Sequence, residues 1–302
     1  MTTDTNFDVI IVGGSYAGLS AAMALGRSLR NVLIIDGGKP CNRQTPHSHN
    51  FITLDGEKPS AITEKAKSQV LAYETVTFVN DIAVTGNTLG ENFQIITQSE
   101  KIYTGKKVVL ATGIHDVMPN VKGFSSCWGI SVVHCPYCHG YEIRNKKTGL
   151  MANGDRAMHL ASLVHNLTND LTVLTNGPAD FNEEQLLKLQ KNNIRIIEKE
   201  ISEIEHENGY IRNVIFKDGS KEGFDATYAS LPFTQHSDIP AHLGCELNEQ
   251  GYIEVDAMQK TTVPGLFACG DNTTRLRSVA SAVAEGNKAG AIVNMELAHE
   301  EF

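Results

Sequence analysis

The sequence predicts an α/β protein made of two doubly wound units, each a parallel sheet flanked by helices and each carrying a small β-meander. Three observations predict it. First, FDVIIV (Phe7 to Val12) is a short apolar run of the kind found in buried parallel strands, followed at once by glycines. An apolar-periodic helix from Leu19 to Leu29 and a second apolar strand, NVLIID, complete a β-turn-α-β unit of about thirty residues, the usual size for half of a nucleotide-binding sheet. Second, the plan returns later as the strand KTGLMA, a helix near Arg156 to Leu167 and the strand LTVLT. Third, each unit is followed by segments that alternate with period two and are separated by turn residues. These are VTFVNDIAVTG, ENFQIITQS and EKIYTG in the first unit, and RIIEKEISEIEHENGYIRNVIFKDGS in the second, with turns at Asn208-Gly209 and Asp218-Gly219.

The remaining elements follow in order. Lys39 to Gly56 is polar and reads as an ordered ligand loop, and Ser60 to Tyr73 as a helix. KVVLAT reads as another buried strand, closed by Gly113. Asn182 caps a helix running to Lys191. GLFACGD is a buried strand ending in Gly270-Asp271, and Val279 to Leu297 is a final helix rich in small residues. The domain expectation is a first domain split in sequence, residues 1–115 and 241–302, around an inserted unit, residues 116–240.

A chain of 302 residues has room for two cores. Its 35 acidic and 26 basic residues give a net charge of -9, which argues against nucleic acid or an anionic membrane as partner, since no Lys/Arg cluster is present. Met1 to Asp8 is polar, without a basic start or an apolar signal core, and no apolar run reaches membrane length. The expected location is the cytoplasm. Six cysteines in a chain this long do not make a secreted disulfide framework, and two of them form a C-x-x-C.

The turn after the first strand is Gly13-Gly14-Ser15-Tyr16-Ala17-Gly18. The dinucleotide pattern G-x-G-x-x-G lets pyrophosphate approach backbone N–H groups at a helix N-terminus. Ser15 stands where its second glycine belongs. Asp36, ending the second strand, is placed to accept from a ribose hydroxyl. An ordinary glycine-rich turn is the competing reading of the fingerprint alone.

Cys135-Pro136-Tyr137-Cys138-His139-Gly140 is the sharpest motif. Two cysteines three apart can close a small disulfide ring, and one thiol can attack a substrate disulfide while the other resolves it. His134 and His139 flank the pair as candidate proton carriers. Half a zinc site is the alternative, but zinc needs about four ligands and no second C-x-x-C exists. Completing a site from Cys127, His134 and His139 would need improbable geometry, so no metal is expected. Two idle cysteines are the remaining alternative.

With the fingerprint near the start, ATG at Ala111-Thr112-Gly113 and FA-x-GD ending in Asp271, the chain resembles the two-dinucleotide-binding-domain flavoproteins over nearly its whole length. The resemblance implies two Rossmann-like (FAD/NAD(P)-type) domains and FAD as cofactor. It implies that Asp271 holds the ribityl chain and that Thr112, Gly113, Gly270 and Val279 border the cofactor. The final helix would aim its positive end at the ring. Asn42 and Arg43 are implied at the pyrophosphate, and His47, His49 and Thr53 beside the flavin, although loop polarity accounts for these nearly as well.

The place of the C-x-x-C, just before the second nucleotide-type unit, resembles the low-molecular-weight thioredoxin reductases. In those the motif is C-x-x-C-D-G and the Asp is the general acid. His139 replaces it here, which brings CPYCHGYE nearer the branch with gliotoxin-type and holomycin-type dithiol oxidases. Catalytic roles are carried over for Cys135, Cys138 and His139 only; a histidine that merely caps a helix is the alternative for the last. By analogy Cys138 lies nearer the flavin and Cys135 meets the substrate. A homodimer is implied.

The chain departs from the reductases in its second fingerprint. G-x-G-x-x-A becomes Ala152-Asn153-Gly154-Asp155-Arg156-Ala157, and the H-R-R-type run that grips the 2′-phosphate of NADPH becomes Thr175-Asn176-Gly177, with no guanidinium fork. NADPH use is therefore expected to be weak or lost. The leading expectation is an FAD-dependent dithiol/disulfide oxidoreductase that passes electrons outward from a dithiol to oxygen. The partner is thioredoxin or a small-molecule dithiol or disulfide. Alternatives are a thioredoxin reductase fed by NADPH or ferredoxin, and a non-catalytic flavin redox sensor. Cys245 and Cys269 read as core thiols, and Cys127 as a packing residue. Trp128 fits either the core or the flavin.

Overall fold

The computed structural model describes residues 5–302. Residues 1–4, part of the polar start read above, lie outside the described residues. The first strand β1 (Asn6–Val12) leads through the glycine turn into α1 (Tyr16–Arg27), which begins three residues earlier than periodicity suggests. Then come β2 (Val32–Asp36), α2 (Pro59–Val70), β3 (Val76–Asn80), β4 (Ala83–Leu89), β5 (Asn92–Thr97), β6 (Ile102–Leu110) and β7 (Ile114–Asp116). Next are α3 (Phe124–Cys127), β8 (Val132–Val133), α4 (Pro136–His139), β9 (Thr148–Met151), α5 (Gly154–Val164), β10 (Leu171–Leu174), α6 (Glu183–Lys191) and β11 (Arg195–Ile197). The chain continues through β12 (Ile201–Glu207), β13 (Tyr210–Phe216), β14 (Lys221–Gly223), β15 (Ala226–Ala229) and β16 (Phe233–Gln235). It ends with α7 (Ile239–His242), β17 (Leu266–Ala268) and α8 (Val279–Glu301).

The larger sheet has seven strands in the order β3-β2-β1-β6-β5-β4, with β17 also paired to β6. Strands β1, β2, β3, β6 and β17 run parallel, and β4-β5-β6 form the antiparallel meander. Two expectations change here. VTFVN is a parallel edge strand rather than part of the meander. EKIYTG and KVVLAT are not two strands but the nine-residue β6: its first half pairs with β5 and its second half with β17. The charged Lys106-Lys107 step survives inside a strand because both amines have partners. Lys106 meets Asp8 at 2.9 Å, and Lys107 meets Glu300 at 2.5 Å.

One face of this sheet packs against α1 and α8 through Val9, Ile11, Leu19, Leu25, Val293 and Leu297. The helices approach closely because α8 offers glycines: a Cβ on Gly286 would lie 2.0 Å from the Ala17 carbonyl oxygen. The other face is covered by the α7 region, with Ile239 and Leu243 against Ile10, Leu33 and Ile95.

The second sheet has the order β11-β10-β9-β15-β8, all parallel. The short strands β8 and β15 carry no clear period in the sequence; each is only a few buried residues long. Helix α5 packs on one face, and β12-β13-β14 form a separate three-stranded meander near the other. Asn182 makes a reciprocal capping box with Gln185 at the start of α6. Between the two sheets the chain crosses twice, and the crossings pair with each other as the antiparallel ribbon β7-β16.

Candidate active site

A cavity of about 470 Å³ lies at the C-terminal ends of β1, β2, β6 and β17. This is where ligands bind in open parallel sheets. Gly13, Gly14, Ser15, Tyr16, Ala17 and Asp36 form one side of its wall. Gly13 has φ +106, and a Cβ there would lie 2.2 Å from the Ala111 carbonyl oxygen. Gly18 stays behind the wall for a packing reason: its Cβ would lie 1.8 Å from the Gly13 carbonyl oxygen. Ser15 has φ -91, an ordinary extended conformation, so the missing second glycine costs the turn nothing.

The Ser15 side chain caps no helix N–H. The first-turn N–H groups of α1 are therefore left for a ligand. Asp36 accepts from Gly14 N at 2.9 Å and from Gly38 N at 3.0 Å, which fixes its carboxylate at the cavity rim. Asn42 donates to the Tyr16 hydroxyl at 3.2 Å, while its buried Oδ1 has no protein partner. Arg43 is absent from the wall. Its guanidinium turns back to the Pro40 carbonyl at 3.2 Å, because the turn at Pro40–Arg43 folds the side chain onto its own loop.

Thr112, Gly113, Gly270, Asp271 and Val279 line the cavity from the far side. Glu285 takes the Gly270 N–H at 2.8 Å and holds the turn that presents Asp271. Burial pushes the Asp271 carboxyl up, and the neighbouring Arg277 opposes that rise. Cys41 lies 3.8 Å from Asp271; burial and that carboxylate push its thiol up to about 12, so it stays protonated. The cradle fits FAD. It offers an open helix N-terminus, a carboxylate at the end of β2, an unpartnered amide oxygen and a buried carboxylate further along.

The dithiol closes the end of this cavity. Strand β8 leads into Cys135, which caps α4 and is disulfide-bonded to Cys138. Cys138 N donates to Cys135 Sγ at 3.1 Å. Cys138 and His139 line the cavity and Cys135 does not, so the two sulfurs have different surroundings. Burial, with His49 nearby, pushes His139 down to about 4. Burial, with the Arg277 cation nearby, pushes His134 down to about 3, and its buried Nε2 has no partner. Both imidazoles are thus neutral at physiological pH.

Trp128 stacks on Phe124 at 5.8 Å inside the core and also lines the cavity. His47 and His49 both line the cavity, and His47 also points its Nδ1 at the Gly56 carbonyl, 2.8 Å away. Thr53 is held at φ +75 outside the wall. Cys127 and Cys269 are fully buried, and Cys245 packs partly buried against the core. Among the described residues, no group of three or more His, Cys, Asp or Glu could hold a metal ion.

Sequence reasoning missed Asp116, Arg277 and His236. Asp116 and Arg277 form a two-pronged ion pair at 2.9 and 3.0 Å in the cavity wall. His236 reaches the wall from the end of β16. No local pattern marks any of the three, because each acts through a partner far away in the chain.

The second βα turn contrasts with the first. Asn153 caps α5 with its own side chain, accepting from Gly154 N and Asp180 N at 2.9 Å each. Asp155 stands in the first turn, held by Gln185 at 2.7 Å. The Asp180 carboxylate lies over Gly154, and Glu198 accepts from Ala179 N at 2.8 Å. Thr175 folds onto the Gly177 carbonyl, and Asn176 is engaged by Ile201 N.

Comparison with known proteins gives one consistent answer. The family model described as pyridine nucleotide-disulphide oxidoreductase matches residues 7–286. Thioredoxin reductase sirT of Leptosphaeria maculans is 33% identical, over 98% of this chain and 95% of its own. Among solved structures, an oxidoreductase from Agrobacterium tumefaciens is 34% identical with a TM-score of 0.91, covering 97% of this chain and 99% of its own. The structure of HlmI is 27% identical with a TM-score of 0.93, covering 100% and 95%. No helix among the described residues is long and apolar enough to cross a membrane. The cradle, the dithiol at its mouth and these matches together place the chain in the pyridine nucleotide-disulphide oxidoreductase family, as an FAD-binding, thioredoxin reductase-like disulfide oxidoreductase.

Proposed function

We propose that the protein oxidises a dithiol through Cys135–Cys138 and FAD, with oxygen as final acceptor and with little or no use of NADPH. The observation that carries this reading is the second βα turn. A nucleotide pyrophosphate needs an open helix N-terminus and favourable charge. At α5 the Asn153 side chain already occupies that position, and Asp155 and Asp180 add negative charge. No arginine fork stands at Thr175-Asn176-Gly177 to hold a 2′-phosphate.

In this reading residues 116–240 form a unit inserted into the FAD domain, kept because it presents the dithiol. A substrate thiolate attacks Cys135 Sγ, and Cys138 leaves as thiolate. The second substrate thiol then displaces Cys135, so the substrate departs as a disulfide and both protein sulfurs are reduced. Cys138, on the cavity side, delivers the electron pair inward. The first fingerprint, Asn42 and Asp271 would hold FAD, which would supply a two-electron carrier able to pass electrons on to oxygen. His139, neutral and beside Cys138, takes protons from thiols. The reading includes a homodimer acting in the cytoplasm on thioredoxin or a small dithiol.

Anaerobic absorbance of the bound flavin, with NADPH and with dithiothreitol in separate cuvettes, tests it. Bleaching by the dithiol alone, with recovery when oxygen is admitted, is expected. Fast bleaching by NADPH would return the protein to the ordinary thioredoxin reductases.

A further inference from the structure

Oxidising one dithiol breaks two S–H bonds and forms one S–S bond. Two electrons leave through Cys135–Cys138 to the flavin; one of the two protons is taken up with them by the reduced flavin, and the other must reach solvent. His139 is the first acceptor for that proton. It is half-buried in the cavity wall, where desolvation disfavours an imidazolium, so it must hand the released proton on quickly. His49, on the loop after β2, lines the same cavity, lies near enough for its charge to act on His139, and reaches Glu142 of the dithiol segment.

His49 lines the same cavity as Cys138 and His139, with its side chain 19% exposed. Its Nδ1 faces two carboxylates, Glu142 Oε1 at 3.6 Å and Asp55 Oδ1 at 3.7 Å. Glu142 lies three residues beyond His139, while Asp55 belongs to the His49 loop. Their side chains are 39% and 67% exposed, so both reach water. The ring of His47 stands 6.5 Å away. Half-buried imidazoles are thus followed by exposed carboxylates from the sulfur outward.

We propose that His49 is the second member of a proton path running from the dithiol through His139 to solvent, with Glu142 and Asp55 as its outlet. The inference rests on the dithiol-oxidising reading above. His49 touches neither sulfur, so it is a positioning and relay residue rather than a catalytic one. The path accounts for two carboxylates facing one imidazole, Asp55 from its own loop and Glu142 from the dithiol segment. In a reductive direction the same groups carry protons inward.

The test is anaerobic flavin bleaching by dithiothreitol in stopped flow, in weak buffer, for wild type and His49→Gln. Glutamine keeps a polar side chain against the carboxylates but cannot carry a proton. Circular dichroism and flavin absorbance confirm that the variant is folded and loaded. A coloured pH indicator follows proton release in the same shots. His49→Gln should bleach roughly 10-fold to 100-fold more slowly at saturating dithiol, since proton transfer by a positioned side chain is worth about that or more. Its proton release should lag, its KM for the dithiol should hold, and added imidazole should restore the rate. Bleaching and proton release equal to wild type would overturn the proposal. So would a slow variant that imidazole does not restore, because His49 would then be a strut for its loop. Failure of dithiothreitol to bleach the wild type would instead sink the dithiol-oxidising reading itself.

Discussion

Replacing Arg277 by methionine should be among the costliest single changes in the FAD cradle. Its guanidinium donates through Nη1 and Nη2 to both oxygens of Asp116 at 2.9 and 3.0 Å, and the side chains are only 15% and 8% exposed. The Arg277 Nε also stands 3.6 Å from Asp271. Methionine keeps most of the side-chain volume but leaves two buried carboxylates without their cation. Breaking a buried pair in this way costs about 3–5 kcal/mol, most of it the stranded charge. At about 2–4 °C per kcal/mol for a domain of this size, the melting temperature should fall by roughly 6–20 °C.

Removing both charges with Asp116→Asn and Arg277→Met should recover a large part of that loss, because no Asp116 charge is then stranded. The assay is thermal melting with excess FAD, followed by circular dichroism and by flavin fluorescence on release. The reasoning fails if Arg277→Met costs less than about 1 kcal/mol. It also fails if the double variant is as unstable as the sum of the singles, since the pair would then be two independent surface charges.

Three further outcomes are expected. Cys138→Ser should abolish dithiol-driven bleaching of the flavin while leaving FAD bound; retained bleaching would show that electrons bypass the cavity-facing sulfur. Gly18→Ala should yield protein that folds poorly or purifies without flavin, because the new Cβ would lie 1.8 Å from the Gly13 carbonyl oxygen; normal flavin content in the purified protein would contradict it. Acid should destabilise the fold between the ordinary imidazole range and about pH 4. Burial pushes His139 down to about 4 and His134 to about 3, so in that window the unfolded chain binds protons that the native state refuses. Stability then falls as pH falls, by up to about 1.4 kcal/mol per pH unit for each group, and urea titrations of His139→Asn should show a shallower slope.

How much of this was legible in the sequence depended on range. The parallel strands and α1 were legible because apolar runs and helical spacing are local signals. β6 was divided in two because Lys106 and Lys107 look like a break. Their partners, Asp8 near the start of the chain and Glu300 near its end, are invisible to a local pattern. The glycine turn, Asp36 and the dithiol announced themselves through spacing, and Asp271 through the family resemblance. Arg277 did not: an arginine one residue before the Ser278 cap has no pattern of its own, and its meaning lies in Asp116, far upstream in the chain.

The two βα turns show why fold and function must be read separately. Both units lay a helix N-terminus against the end of a parallel sheet, and a helix start always carries N–H groups needing acceptors. At α1 the chain leaves that need open: Ser15 caps nothing, and the Asp36 carboxylate stands at the cavity rim. At α5 the chain meets the need itself through Asn153, then surrounds the turn with Asp155 and Asp180. Pyrophosphate at α5 would have to displace a formed cap and approach two carboxylates. Yet the same sheet holds β8 against β15, and β8 ends two residues before Cys135. Losing the unit would lose the dithiol, whereas losing its nucleotide would not. A chain supplied with electrons by its substrate would therefore keep this second sheet and let its phosphate site close.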